Sequence, residues 1–350
     1  MKVELRVKDI WQLLNGVLCV YKPRDISLTS LKKRIVERIV EDGNKLDQPA
    51  VPMIEMPIIE PHPISQALVV VGRKKQLDYS QHPLMVGRAF RPEDIMIEEI
   101  NDLEVSSSGV CLFAVGPECY DIDRVRRKAW INSYRLEGKL GEETDGHRVK
   151  GKIIVKAEWD HVTRHKVEKL LTRIRAQYKR MSFKLAEVDL NSQKAFEIAR
   201  RGAPKPRVLD CPVVYNVKIS HFQTPYFGLD VQVTGETNHF LRAFIHEIGL
   251  SLGSTACPKK LRRIRTGPLG LDHALLDKEL QLENILKNIL MCNKALALAA
   301  NDEKERVIKV KKVADLESST LVDEFRLRDK NVEEEEDSMK IAWGRDYSIV

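Results

Sequence analysis

Residues 212–220 place apolar side chains at Val213, Tyr215, Val217 and Ile219, and residues 226–233 repeat the alternation at Phe227, Leu229, Val231 and Val233. A period of two sends successive side chains to opposite faces of an extended chain, so each segment reads as a half-buried strand. Together they predict an antiparallel pair.

Apolar runs at 16–22 (GVLCVYK) and 110–115 (VCLFAV) predict buried strands, and 131–138 and 151–157 predict two more. A helix is expected from Ser27 or Ser30 to about Glu41, with Leu31, Ile35 and Ile39 on one face and Gly43 as its stop. Asp160 and Thr163 are N-cap candidates for a helix reaching about Arg175, with Val167, Leu170, Leu171 and Ile174 apolar. Residues 193–201 predict a short helix closed by Gly202, and further helices are expected at about 237–252 and 272–297. Strands and helices do not alternate strictly. The pattern therefore predicts an α+β fold with a mixed or antiparallel sheet flanked by helices, rather than a doubly wound one. The proline-rich stretch 44–90 lacks helical periodicity and predicts an irregular insertion or flap within a domain of 1–300. From 315 onward the chain is polar, and the run Glu333–Asp337 predicts a disordered acidic tail over 315–350.

The net charge of +7 suggests an anionic partner, and nucleic acid is the commonest one. Basic residues cluster at Arg124–Lys128, Arg173–Lys184, Arg200–Arg207 and Lys259–Arg265, with Tyr134, Tyr178 and Phe183 near or among them. Guanidinium groups hold phosphates and rings stack splayed bases, so this combination suits RNA. Other chemistries find little support. The six cysteines include no CxxC pair, and several lie in apolar runs. They read as small buried hydrophobes in a reducing compartment. GxGxxG, Walker A, HExxH and GxSxG are missing from the sequence. His161 and His165 have legal metal-ligand spacing, but no third ligand is near them, so no metal site is expected. No apolar run approaches the length of a membrane span. Residues 1–14 are amphipathic and carry both acidic and basic side chains, which leaves the cellular address open.

Six segments, in order, resemble the TruB family of pseudouridine synthases. Gly16–Pro23 resembles the family's first motif, which ends in Lys-Pro. Leu103–Gly109 (LEVSSSG) resembles the catalytic motif Leu-Asp-x-x-Ala/Ser-Ser/Thr-Gly, and Tyr134 resembles the tyrosine that packs on the target base. Gln193–Gly202 resembles the Tyr-x-x-Ala-Arg-x-Gly helix, with Phe196 for the tyrosine. Phe240–Gly249 resembles the Tyr-Ile-Arg helix, which makes Arg242 the arginine paired with the nucleophile; Leu261–Gly267 resembles the closing Leu-Arg-Arg-x-x-x-Gly. The segment Gln81–Phe90 and the long insertion are most similar to the animal mitochondrial branch, which also lacks the Gly-His-Thr-Gly lead-in. The resemblance implies an RNA substrate (tRNA, mRNA or rRNA), a mitochondrial location and no cofactor. Mitochondrial ribonucleoprotein-assembly proteins are further expected partners. Many TruB relatives carry a C-terminal PUA domain, and the last 60 residues do not read as one.

Uridine isomerisation cuts the glycosidic carbon–nitrogen bond, turns the uracil and rejoins it through carbon. The base must first leave its stack, so the pocket needs a ring to hold it, the role the resemblance gives Tyr134. The chemistry needs a carboxylate, and Arg242 is expected to fix it by a bidentate contact. Lys22, Lys259, Lys260, Arg262 and Arg263 are the expected RNA contacts. Family members have Asp where this chain has Glu104. One extra methylene moves the reacting oxygens, and a misplacement of about 1 Å costs on the order of a hundredfold in rate. Asp102 lies two positions early, an offset that argues against its substituting. Two readings follow: a working synthase using Glu104, Arg242 and Tyr134, or an RNA-binding or assembly module with weak or no activity.

Overall fold

In a computed structural model of the 350-residue chain, the residues described are 7–46, 53–78, 80, 85, 87–128, 130–201, 204 and 211–300. Residues 1–295 form one compact unit; of the second, 296–350, residues 296–300 are helical. The predicted tail at 315–350, Gly202 and most of Arg200–Arg207 lie outside the described residues.

The strands are β1 (Gly16–Lys22), β2 (Met53–Pro61), β3 (Leu68–Leu77), β4 (Ile97–Glu99), β5 (Ser108–Val115), β6 (Asn132–Leu140), β7 (Glu142–Thr144) and β8 (Ile153–Lys156), followed by β9 (Val213–Gln223), β10 (Tyr226–Thr234), β11 (Ala256–Thr266) and β12 (Leu269–Gly270). The alternating segments pair as expected, β9 antiparallel to β10. They end a sheet of order β1-β5-β11-β6-β10-β9, with β4 on β5 and β12 on β11. Strand β11 runs parallel to β5, and the other named pairings are antiparallel, so the sheet is mixed and the fold is α+β.

Around the sheet lie α1 (Val7–Leu13), α2 (Leu28–Gly43), α3 (Ile122–Arg126), α4 (Arg164–Leu185), α5 (Gln193–Arg201), α6 (Asn238–Ser251) and α7 (282–300). Of the two serines that could cap α2, Ser27 does so, its side chain accepting from Ser30 N. The helix buries Leu31, Ile35 and Ile39 in the core beside Leu18, Val20 and Phe113 from the sheet. Strand β1 is an edge, and an edge presents unpaired backbone groups. Here α7 covers them: Asn293 Oδ1 accepts from Val17 N at 3.0 Å and Asn288 Oδ1 from Cys19 N at 2.9 Å. Leu275 completes the edge, accepting from Tyr21 N and donating to Cys19 O.

Four elements differ from expectation. The helix expected from 272 starts at 282, because Leu275 is held extended against β1 and short 3-10 turns occupy 271–273 and 277–279. Helix α4 runs past Arg175 to Leu185, since Phe183 packs into a small cluster with Val188 and Ala195. Strand β11 went unseen in the basic stretch Lys259–Arg265, because the side chain facing inward beside Leu261 is an arginine. The stretch 44–90, expected to be irregular, contains the regular hairpin β2–β3. Both of its strands are exposed almost throughout, so no burial pattern marks them in the sequence.

Candidate active site

The loop 101–107 joins β4 to β5 and is pinned from both sides by buried cations. On one side Lys22, fully buried, donates from Nζ to Glu104 O (3.0 Å), Val105 O (3.1 Å) and Ser107 O (2.6 Å). Burial pushes this ammonium below its usual range. On the other side Arg263, 1% exposed, donates to Val110 O (2.7 Å), Asp102 O (3.0 Å) and Asn101 O (3.3 Å). Gly109 lies where β5 pairs in parallel with β11, opposite Arg263. Its φ is +123°, and a Cβ there would sit 2.0 Å from Arg263 O, so only glycine lets the strands meet. Lys22 and Arg263, expected to contact RNA, thus do different work. Their donors are spent inside the protein, those of Lys22 on backbone carbonyls and those of Arg263 on carbonyls and also on the Tyr134 hydroxyl (3.4 Å) and Cys111 Sγ (3.6 Å).

Held in this way, Glu104 Oε1 accepts from Arg242 Nη1 at 3.1 Å. The two side chains are 28% and 12% exposed. The expected bidentate fork is not formed. Glu104 Oε2 and Arg242 Nε are buried and lack hydrogen-bond partners. The longer glutamate meets the guanidinium at one point, so its angle is set less firmly than a fork would set it. Asn238, the first residue of α6, links this pair to Asp102: its Oδ1 accepts from Glu104 N at 3.4 Å and its Nδ2 donates to Asp102 Oδ2 at 2.7 Å.

Beside the pair opens a pocket of about 580 Å³, within the range of small-ligand sites. Asp102, Tyr134 and Arg263 line it, and Arg126 and Arg127 of the predicted basic cluster Arg124–Lys128 stand at its wall; Glu104 and Arg242 do not. Asp102 therefore faces the pocket more directly than its offset in sequence suggested. Tyr134 is 3% exposed and donates its hydroxyl to Glu236 Oε1 at 2.7 Å, an oxygen that Asn132 Nδ2 also reaches at 2.7 Å. Burial raises the Tyr134 hydroxyl above its ordinary range and raises the Glu236 carboxyl too. Sequence reasoning missed Glu236. The one available signal was an acidic residue just before the N-cap Thr237.

The remaining expected RNA contacts lie along β11. Lys260 is exposed and pairs with Glu137 at 2.9 Å, while the half-buried Lys259 pairs with Glu142 at 3.3 Å. Exposed Arg262 lies over the Tyr21 ring at 5.5 Å. Arg173, Arg175, Lys179, Arg180 and Lys184 are exposed along α4. The aromatics near these clusters are not free platforms: Tyr134 and Phe183 are buried and Tyr178 is half-buried.

Residues 101–238 match the model of the TruB family pseudouridylate synthase N-terminal domain. The chain is 30% identical to the Homo sapiens protein "Pseudouridylate synthase TRUB2, mitochondrial" over 273 residues, 78% of this chain and 82% of that one. It is 29% identical to the Xenopus tropicalis protein of the same name over 292 residues, 81% and 87% of the two chains. This chain belongs to the TruB family of pseudouridylate synthases, and its similarity runs to the animal mitochondrial branch. A solved archaeal box H/ACA sRNP Nop10–Cbf5 complex matches at 14% identity and a TM-score of 0.44, over 79% of this chain and 59% of that one. No helix among the described residues is long and apolar enough to cross a membrane.

Proposed function

We propose that this chain is an RNA pseudouridine synthase with Glu104 as its reacting carboxylate. The observation that carries the reading is the Arg242–Glu104 pair at 3.1 Å, beside a pocket of nucleoside size walled by Tyr134. A uridine turned out of its stack enters that pocket on the side lined by Asp102 and Asn238, and Glu104, held just behind that lining, reaches in to attack the sugar or base, or to take a proton from the ribose. Arg242 orients the carboxylate and supplies its countercharge. Lys259, Lys260 and Arg262 on β11 meet phosphates, which position the RNA without reading its sequence. The names of the mitochondrial relatives support a substrate among mitochondrial RNAs.

The single-point contact and the orphaned Oε2 of Glu104 favour a second reading. In it the chain is an RNA-binding or ribonucleoprotein-assembly module whose isomerase activity is weak or lost. A single-turnover assay on a uridine-labelled RNA stem-loop separates the two. Under the first, wild type forms pseudouridine and Glu104→Gln loses on the order of a thousandfold or more in rate while still binding RNA. An inert wild type with an active Glu104→Asp variant establishes the second. Asp102→Ala runs alongside: if it is inert while Glu104→Gln turns over, the reacting carboxylate is Asp102.

A further inference from the structure

One turn along α6 from Arg242, a second group of reactive side chains comes together. Arg242 and His246 are four residues apart on the helix and share a face. His246 is 8% exposed, and its ring stacks on that of His147 with centroids 4.2 Å apart and planes inclined by 24°. Glu143 Oε1 lies 3.8 Å from His246 Nε2. One ligand atom from each of Glu143, His147 and His246 falls within 4.8 Å of the others. The Nδ1 atoms of both histidines are buried and have no hydrogen-bond partner.

That last feature needs a cause. Buried polar atoms are nearly always satisfied, and each one left unmade costs about 1–3 kcal/mol. Each touching imidazole keeps one buried nitrogen without a partner, and the Glu143 carboxylate stands by the other nitrogen of His246, so the three side chains gather ligand atoms around a point that no protein group fills. We propose that Glu143, His147 and His246 bind a divalent transition cation of the zinc type. Two imidazoles and one carboxylate suit zinc better than calcium or magnesium, which take oxygen ligands. Three protein ligands leave a fourth position for water.

The geometry is close to what the ion needs. Zinc ligands lie about 2.0–2.2 Å from the metal, which sets neighbouring ligand atoms roughly 3.4 Å apart. The edges of the triad are at most 4.8 Å, so they close by no more than about 1.4 Å to reach that spacing. The scaffold is defined on both sides. Glu143 lies on β7, and His147 ends the 3-10 turn Asp145–His147, which is braced by Thr144 Oγ1 donating to Arg148 O at 2.8 Å. His246 is fixed by α6. Glu143 offsets the charge the ion brings near Arg242. This site is separate from the His161–His165 pair, where His161 Nε2 lies 3.0 Å from Leu252 O.

The test titrates the full chain with cobalt(II), whose visible absorption is intense when it is four-coordinate. The expected result is one equivalent bound, displaced by zinc. His147→Phe keeps a ring in the stack and abolishes the band; Glu143→Gln weakens binding on the order of tenfold or more. Zinc raises the melting temperature of wild type and not of the variants. Should His147→Phe fail to fold by circular dichroism, the half-exposed Glu143→Gln decides. No visible band on folded wild type overturns the proposal. So does a band unchanged by both substitutions, or one with thiolate charge transfer, which places the ion on cysteine.

Discussion

The sheet around β5 and β11 and the hairpin β2–β3 are built from the same kinds of residue and have opposite fates. Strand β5 (SGVCLFAV) is buried along nearly its whole length. The hairpin carries Ile54, Met56, Ile58, Val69, Val70 and Val71, all exposed by 39% or more. Apolar, β-branched content makes a strand; it does not decide whether anything covers it. The cations differ in the same way. Arg263 and Lys22 lie inside the sheet and hold a loop by its carbonyls, while Arg73 at the hairpin makes a surface pair with Glu55 at 3.9 Å, of a kind worth little.

Four substitutions sharpen or break that contrast. The largest effect is expected for Arg263→Met, which strands the carbonyls of Asn101, Asp102 and Val110; urea unfolding should show a loss of about 3 kcal/mol. A loss under about 1 kcal/mol would mean the guanidinium is not the clamp. Next, Tyr134→Phe removes one donor from Glu236 and should cost about 1–2 kcal/mol in the same measurement. Ile58→Ser in the hairpin should change stability by no more than about 0.5 kcal/mol; a larger loss would show that the hairpin is covered in solution. Smallest in stability is Arg262→Gln, with no measurable change in melting. Its effect appears in RNA affinity, where the slope of log K against log salt should fall by roughly 0.7–0.9. A slope that stays put would remove β11 from the RNA interface.

The fold class and the strand pair β9–β10 were legible because a period of two in apolar residues has few other meanings. The cap of α2 was legible to one of two serines from local chemistry, and motif resemblance brought Arg242 to Glu104 but with a fork where the structure has one contact. Strand β11 was not, because its inward arginine is satisfied by carbonyls contributed from residues 101, 102 and 110. A one-dimensional pattern cannot count acceptors that come from 153 to 162 residues away in the chain. The same limit hid Glu236 beneath Tyr134 and kept Glu143 and His147 apart from His246.

By itself, then, the order of residues determined which segments are strands or helices wherever their periodicity serves one buried face, and which family motifs the chain carries. Only the tertiary structure decided which cations are spent indoors, that Glu104 meets Arg242 at one point rather than two, and that Asp102 faces the pocket. The physical reason is that periodicity reports burial, an average property of a face. The work of a charged side chain depends instead on which single atoms lie within about 3 Å of it.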